Sequence, residues 1–221
     1  LEKLRAGFGR ELSFDEIRPY YYAGALFPDS GNYPGGSDLV SDLSHNLRTW
    51  DLVSSMMKNA KGPYETAFAL GWFTHVVADI IGHPGFTNIT HAELMNLQDR
   101  HPQGIEAYDM PLEHKRTEFG AAAHILGMEG NSFLWDIRLL YPFRENGQGS
   151  VVADAFGKIY GVSITGKDIE NSIHSLNRDI KRIPPVMQFT GSIKGKWFDV
   201  LEKMFVLISR AILIPVYLGL L

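Results

Sequence analysis

Residues 64–83 read YETAFALGWFTHVVADIIGH, a stretch that is apolar at nearly every angle around a helix axis. A surface helix keeps one polar side, so a helix apolar all round belongs in the centre of a protein. Gly62-Pro63 before it, and Gly82 with Pro84 after it, set its ends. Within this rod lie His75 and Asp79, with His83 at its end, each four residues from the next. Residues four apart share a helix face, so the three form one polar stripe. An ionised carboxylate buried without a partner is very costly. The stripe therefore calls either for a His–Asp hydrogen bond with a helix-end His beside it, or for a bound cation.

The remainder of the chain restricts what that cation can be held by. None of the 221 residues is Cys. This excludes a disulfide scaffold, a thiolate zinc finger, an iron–sulfur cluster and a cysteine nucleophile, and leaves nitrogen and oxygen as the only ligands. With 45% hydrophobic residues, the chain suits a single domain, 1–221, that buries a core without staples. A formal net charge of −4 provides no positive field, so duplex nucleic acid is not an expected partner, although a site for one phosphate group is compatible with it.

Helical periodicity predominates and no series of alternating strands is evident, so the expected fold is all-α. Ser13 and Glu16 form a capping box ahead of a helix over 14–22. Residues 28–36, PDSGNYPGG, read as a loop. Further helices are expected over 43–60, 64–83, 111–128, 167–183 and 195–214, with long connections over 88–109 and 141–152. The sequence GVSITGKD at 161–168 nearly matches a phosphate-binding loop. It has Asp168 where a hydroxyl belongs and no preceding strand, so it reads as helix initiation with Thr165 and Asp168 as the capping pair. Asn88-Ile-Thr90 is a glycosylation sequon, meaningful only in a eukaryotic secretory pathway. The C-terminal apolar segment 205–221 has 17 residues interrupted by Arg210 and Pro215. It reads as a buried core helix, with attachment at a membrane interface as the alternative.

A second polar stripe accompanies the first. His114 and Glu118, also four apart, lie in LEHKRTEFGAAAHILG, whose other side is apolar. Upstream, Asp29 stands in the loop and His45 in the segment DLSHN. Each has an ordinary alternative: a turn Asp caps local amides, and His45 can pair with Asp42 or Asp51. Together Asp29, His45, His75, Asp79, His83, His114 and Glu118 offer enough nitrogen and oxygen ligands for two cations, with positions left for water.

The ordered set GALFPD, His45, HxxxD then His at 75, 79 and 83, and HxxxE at 114 and 118 resembles the bacterial zinc-dependent phospholipase C family. That family includes the N-terminal domain of glycosylphosphatidylinositol phospholipase D and is related in fold to fungal single-strand nucleases. The resemblance covers about residues 20 to 120. It implies a multi-helix enzyme whose zinc cluster hydrolyses phosphodiester bonds, and a secreted or membrane-associated protein. By resemblance, Asp29, His45 and His75 hold one zinc, Asp79 bridges, and His83, His114 and Glu118 hold a second. The family's third zinc uses the N-terminal amino group and an early His, and no His precedes His45. The expectation is therefore two zinc ions, or three if the chain lacks its native N-terminus.

Bound zinc lowers the pKa of a coordinated water to about 7 and screens the phosphate charge that would repel it. The expected reaction is phosphodiester hydrolysis on phospholipid head groups by a metal-activated water, with phospholipid and a transient membrane surface as partners. Asp29 and Asp79 are the candidate catalytic residues, Asp29 as the group that orients or deprotonates the water. Tyr33, in the Gly- and Pro-rich loop, is the candidate substrate-binding residue. Tyr20, Tyr21, Tyr22 and Phe27 read as core rather than as an aromatic box for a head group. His91 and His101 read as surface residues, or alternatively as a mobile wall of the site; His124 and His174 read as lying outside it. Two other functions fit the same ligands: a nuclease or nucleotidase, and a non-catalytic helical protein with a structural metal site.

Overall fold

The computed structural model describes residues 13–97, 99–100, 103–106, 109, 114, 117–118, 138–144 and 150–179. Among these residues there are helices and turns and no strand, which makes the fold all-α as expected. Of the anticipated elements, 195–214 and 205–221 lie outside the described residues, as does 111–128 apart from His114, Thr117 and Glu118.

Helix α1, Phe14–Leu26, starts where the Glu16 carboxylate accepts hydrogen bonds from the Ser13 amide at 2.9 Å and its hydroxyl at 3.2 Å. It extends past Tyr22, and a 3-10 turn, Phe27–Asn32, follows in what the turn-rich composition suggested was loop. Helix α2, Asp38–Asn46, is capped by Ser37, whose hydroxyl accepts from the Val40 amide, and α3 is Thr49–Asn59. The single helix expected over 43–60 is thus two. The break falls at Leu47 and Arg48, where Arg48 is left-handed at φ 49°. Its cause is distant in sequence. The Tyr160 hydroxyl binds the Leu43 and Leu47 carbonyls at 3.0 and 2.6 Å, and Arg48 reaches the Ile159 carbonyl at 3.0 Å. Carbonyls left open by the break are satisfied by tertiary partners, which periodicity cannot detect.

Helix α4, Gly62–Gly82, runs into a π turn, His83–Thr87, and then α5, Asn88–Leu94. The connection anticipated over 88–109 therefore begins as helix. Helix α6, Val151–Tyr160, was not anticipated; Ser150 caps it through the Ala153 amide. Helix α7, Gly166–Asp179, opens on hydrogen bonds between Thr165 and Asp168 at 2.6, 2.9 and 3.2 Å, which confirms the helix-initiation reading of GVSITGKD.

Helix α4 is central only in part: its buried residues run from Pro63 to Val76, whereas Phe73, Ile80 and Ile81 are exposed, so the expectation of burial all round does not hold for its later turns. Trp72 and Phe68 are fully buried and pack with Phe27, Tyr141 and Phe156, ring centroids 5.0–6.3 Å apart. The rings bring large apolar area, and their tilted and edge-on geometries suit aromatic quadrupoles. At the start of α4, buried Glu65 accepts from the Lys61 amide at 2.6 Å and from Arg144 at 2.7 Å, so its charge is compensated. Helices α1 and α4 touch through glycines. A Cβ on Gly71 would lie 1.9 Å from the Tyr21 carbonyl oxygen, and one on Gly24 2.0 Å from that of Phe68. Tyr20 and Tyr21 serve this contact: Tyr20 packs at a tilt on Tyr64 with centroids 4.5 Å apart, and the Tyr21 hydroxyl donates to Thr74 at 3.0 Å; Tyr22 packs half-buried against the core. Among the described residues no helix is long and apolar enough to cross a membrane.

Gly71→Ala must push α1 and α4 apart. We expect destabilisation of at least about 1–3 kcal/mol, the range for an overpacked core, in urea unfolding. Gly157→Ala, in α6 with only the Val162 carbonyl oxygen 3.9 Å away, should instead stabilise by about 0.5–1 kcal/mol.

Candidate metal centre

Three elements converge beside the α1–α4 contact. The 3-10 turn supplies Asp29, the last turn of α2 supplies His45 and the middle of α4 supplies His75, with one ligand atom of each within 4.8 Å of the others. Backbone carbonyls orient both imidazoles. His75 Nδ1 lies 3.0 Å from the Ala25 carbonyl oxygen and His45 Nδ1 2.8 Å from that of Ser41. A carbonyl only accepts, so each Nδ1 carries the proton and each Nε2 presents a lone pair. The two Nε2 atoms face each other at 3.0 Å, and Asp29 Oδ1 lies 3.4 Å from that of His45. Facing lone pairs repel unless a cation or a further proton lies between them. Nitrogens bound to one tetrahedral zinc at 2.0–2.1 Å stand about 3.3 Å apart, close to this arrangement.

A second group combines His83, the first residue of the π turn, with His114 and Glu118, and ligand atoms of the three again lie within 4.8 Å of one another. His83 Nε2 is 3.1 Å from both Asp79 Oδ1 and Glu118 Oε1, and His114 Nε2 is 3.3 Å from Glu118 Oε1. The His83 and His114 rings stack at 4.9 Å. His114 is 2% exposed, and among the described residues neither ring nitrogen has a well-aligned hydrogen-bond partner. A polar ring stranded in this way fits a site meant for a cation.

Charge follows geometry. Hydrogen bonds to Asp79 and then Glu118, outweighing partial burial, raise the His83 pKa to about 10. Burial pushes the Asp79 carboxyl upward, but the His83 hydrogen bond and the charges of His83, His75 and His45 bring it below its ordinary value. Glu118 is lowered against its own burial by the His83 hydrogen bond and by His114. His114 is lowered, chiefly by burial. Asp79 belongs to neither group of three; it pairs with His83 of the second at 3.1 Å and lies one helical turn along α4 from His75 of the first. Tyr33 is raised to about 12, chiefly by burial and then by the charges of Asp29, Asp179 and Glu118.

All seven anticipated ligands thus gather in one region. Phe27 is core, and His174 is exposed on α7. His91 corrects the surface reading: it is 1% exposed, with its ring 5.7 Å from that of His114. Only its position three residues after Asn88, on a helix not recognised from the sequence, would have revealed this. Asn88 is itself only 7% exposed, so the sequon is shut in the fold. His101 and His124 lie outside the described residues.

A family model described as zinc dependent phospholipase C matches residues 1–182. The chain belongs to that family. Membership makes it a relative of zinc-dependent hydrolases, and the two ligand groups lie within the matched span. An uncharacterized protein of Archaeoglobus fulgidus is 23% identical over 157 residues, which are 69% of this chain and 47% of that protein. The chain therefore spans about half the length of the curated relative it matches. No solved structure matches significantly.

In metal-free protein, protonated His83 is the cation of the second group. Its folded pKa, about 10, exceeds the ordinary 6.5, so its contribution to stability is complete below pH 6.5 and is lost as pH rises toward 10. Melting temperatures of chelator-treated protein should fall across that window, and His83→Gln should flatten the dependence. Metal entering this group should displace the proton, measurable near pH 8 as calorimetric heats that vary with the buffer's ionisation enthalpy.

Proposed function

We propose that this protein is a phosphodiester hydrolase of the phospholipase C type, cleaving phospholipids on the glycerol side of the phosphate. The observation that carries the proposal is the pair of ligand groups, each of three residues, with Asp79 paired to His83 and one helical turn from His75. Family membership supports the zinc and the hydrolytic chemistry. Asp29, His45 and His75 would hold one ion and His83, His114 and Glu118 another. Zinc in such a site supplies an activated water at neutral pH and offsets the charge of the phosphodiester.

The protein's own groups set the rest. Asp29 is held by Asn32, whose amide donates to Oδ1 at 3.2 Å, and in our reading it orients or deprotonates the attacking water. Asp79, kept ionised, ties the two groups together. Tyr33, kept protonated, donates its phenolic hydrogen to a phosphoryl oxygen. Phe73, Ile80, Ile81, Phe86 and Ile89 are exposed along α4, the π turn and α5, and so support a lipid surface as the site of action.

Protein purified without chelator should contain at least two zinc per chain by elemental analysis and should release diacylglycerol from phosphatidylcholine vesicles. Asp79→Asn should cut that rate at least about 100-fold with helical content retained, as expected for loss of a charged group at a reacting phosphate. Absence of stoichiometric zinc overturns the proposal. Cleavage of single-stranded DNA without diacylglycerol release reassigns the site to nuclease chemistry. Unfolding on chelation with no activity on either substrate reassigns it to a structural metal.

A further inference from the structure

Behind the second ligand group lie three polar residues with unmet hydrogen-bonding capacity. Among the described residues, Asn88 Oδ1, both ring nitrogens of His91 and His114 Nδ1 are buried without a hydrogen-bond partner, and His114 Nε2 has Glu118 Oε1 nearby at 3.3 Å. His91 and His114 lie edge to face, centroids 5.7 Å apart at 71°. Asn88 precedes His91 by three residues on α5, so the two share a helix face. Asn88 is fixed there: its carbonyl accepts from the Ile105 amide at 2.9 Å, and the backbone at Gly104 packs against its Cβ. Leaving buried polar atoms unmatched costs about 1–3 kcal/mol each, so such a cluster is sustained only if something completes it.

The donors and acceptors complete one another once His114 gives Nε2 to a cation. His114 Nε2 already faces Glu118 Oε1 at 3.3 Å, which leaves Nδ1–H to be satisfied on the side away from the ligands. A histidine that binds metal nearly always hands its other N–H to an acceptor, which fixes its tautomer and ring orientation. His75 and His45 have carbonyls for this purpose, at 3.0 and 2.8 Å. His114 has no such carbonyl among the described residues. A neutral imidazole has one acceptor and one donor: His91 can accept from His114 Nδ1–H and donate to Asn88 Oδ1, leaving none of these atoms unmatched.

We propose that His91 is a positioning residue of the second metal group, accepting the Nδ1–H of His114 directly or through one water and anchored in turn by Asn88. The inference rests on the two-centre reading above and adds a residue that belongs to neither ligand group. It assigns His91 no contact with the ion.

The test is metal binding by the full chain after chelator treatment, with zinc titrated against a competing chelator and cobalt used as a spectroscopic reporter. Titration in a His45→Gln background isolates the second group. His91→Phe fills the space without nitrogens, and His91→Gln restores an acceptor and a donor. His91→Phe should weaken second-group affinity about 10- to 100-fold, the usual cost of an outer partner, and should alter the cobalt spectrum while the ion still binds at saturation. His91→Gln should recover most of the affinity and the spectrum, and metal-free melting should not fall in either. Wild-type affinity and spectrum in His91→Phe overturn the inference alone. Complete loss of the ion at saturation overturns it in favour of direct ligation. Equal weakening in both variants with lowered metal-free melting overturns it in favour of packing. If the unmodified chain binds no metal, the two-centre reading falls and this inference with it.

Discussion

The hydrogen bond from His75 Nδ1 to the Ala25 carbonyl, 3.0 Å long, is where scaffold and site become one object. It exists because α1 lies against α4 at glycine distance, with Gly24 and Gly71 each set where a side chain would strike the other helix's backbone. That closeness puts a carbonyl on one imidazole nitrogen and thereby dictates the state of the other. It also carries the 3-10 turn, and Asp29 with it, to the face of α4 where His75 projects. A wider separation would leave the ligands in the chain but not in register with one another.

The two ligand groups solve the same electrostatic problem differently. In the first, carbonyls force both imidazoles to present lone pairs, an arrangement held in reserve for an incoming positive charge. In the second, an imidazolium already serves, with Asp79 and Glu118 as its counter-ions. The first group is preorganised by backbone and the second by salt bridges. The second must release the His83 proton to accept a metal, so acidity should oppose metal entry there.

How much of this was legible in the sequence follows the reach of each signal. The stripe His75, Asp79, His83 depends on helix geometry alone and could be read directly, as could the capping pairs at Ser13 and Thr165. The break at Arg48 could not, because Tyr160 and Ile159, far along the chain, satisfy the backbone there. His91 looked like a surface residue because turn-forming neighbours hid α5, whose helix is propagated from α4 rather than started by a cap. The tautomers of His45 and His75 were out of reach entirely, since carbonyls carry no sequence signature.

The π turn at His83–Thr87 lets the rod continue from α4 into α5 without a loop, the Asn88 amide closing a wide turn on the His83 carbonyl. Ligand and buried imidazole are thereby threaded on one screw, where each residue advances the angle by about 100°. A loop between two helices absorbs insertions, whereas a screw converts each one into rotation. One residue gained or lost between His83 and His91 would turn the second imidazole toward a different side of the protein. Length in this short stretch is thus tied to the direction of a buried ring, whichever residues fill it.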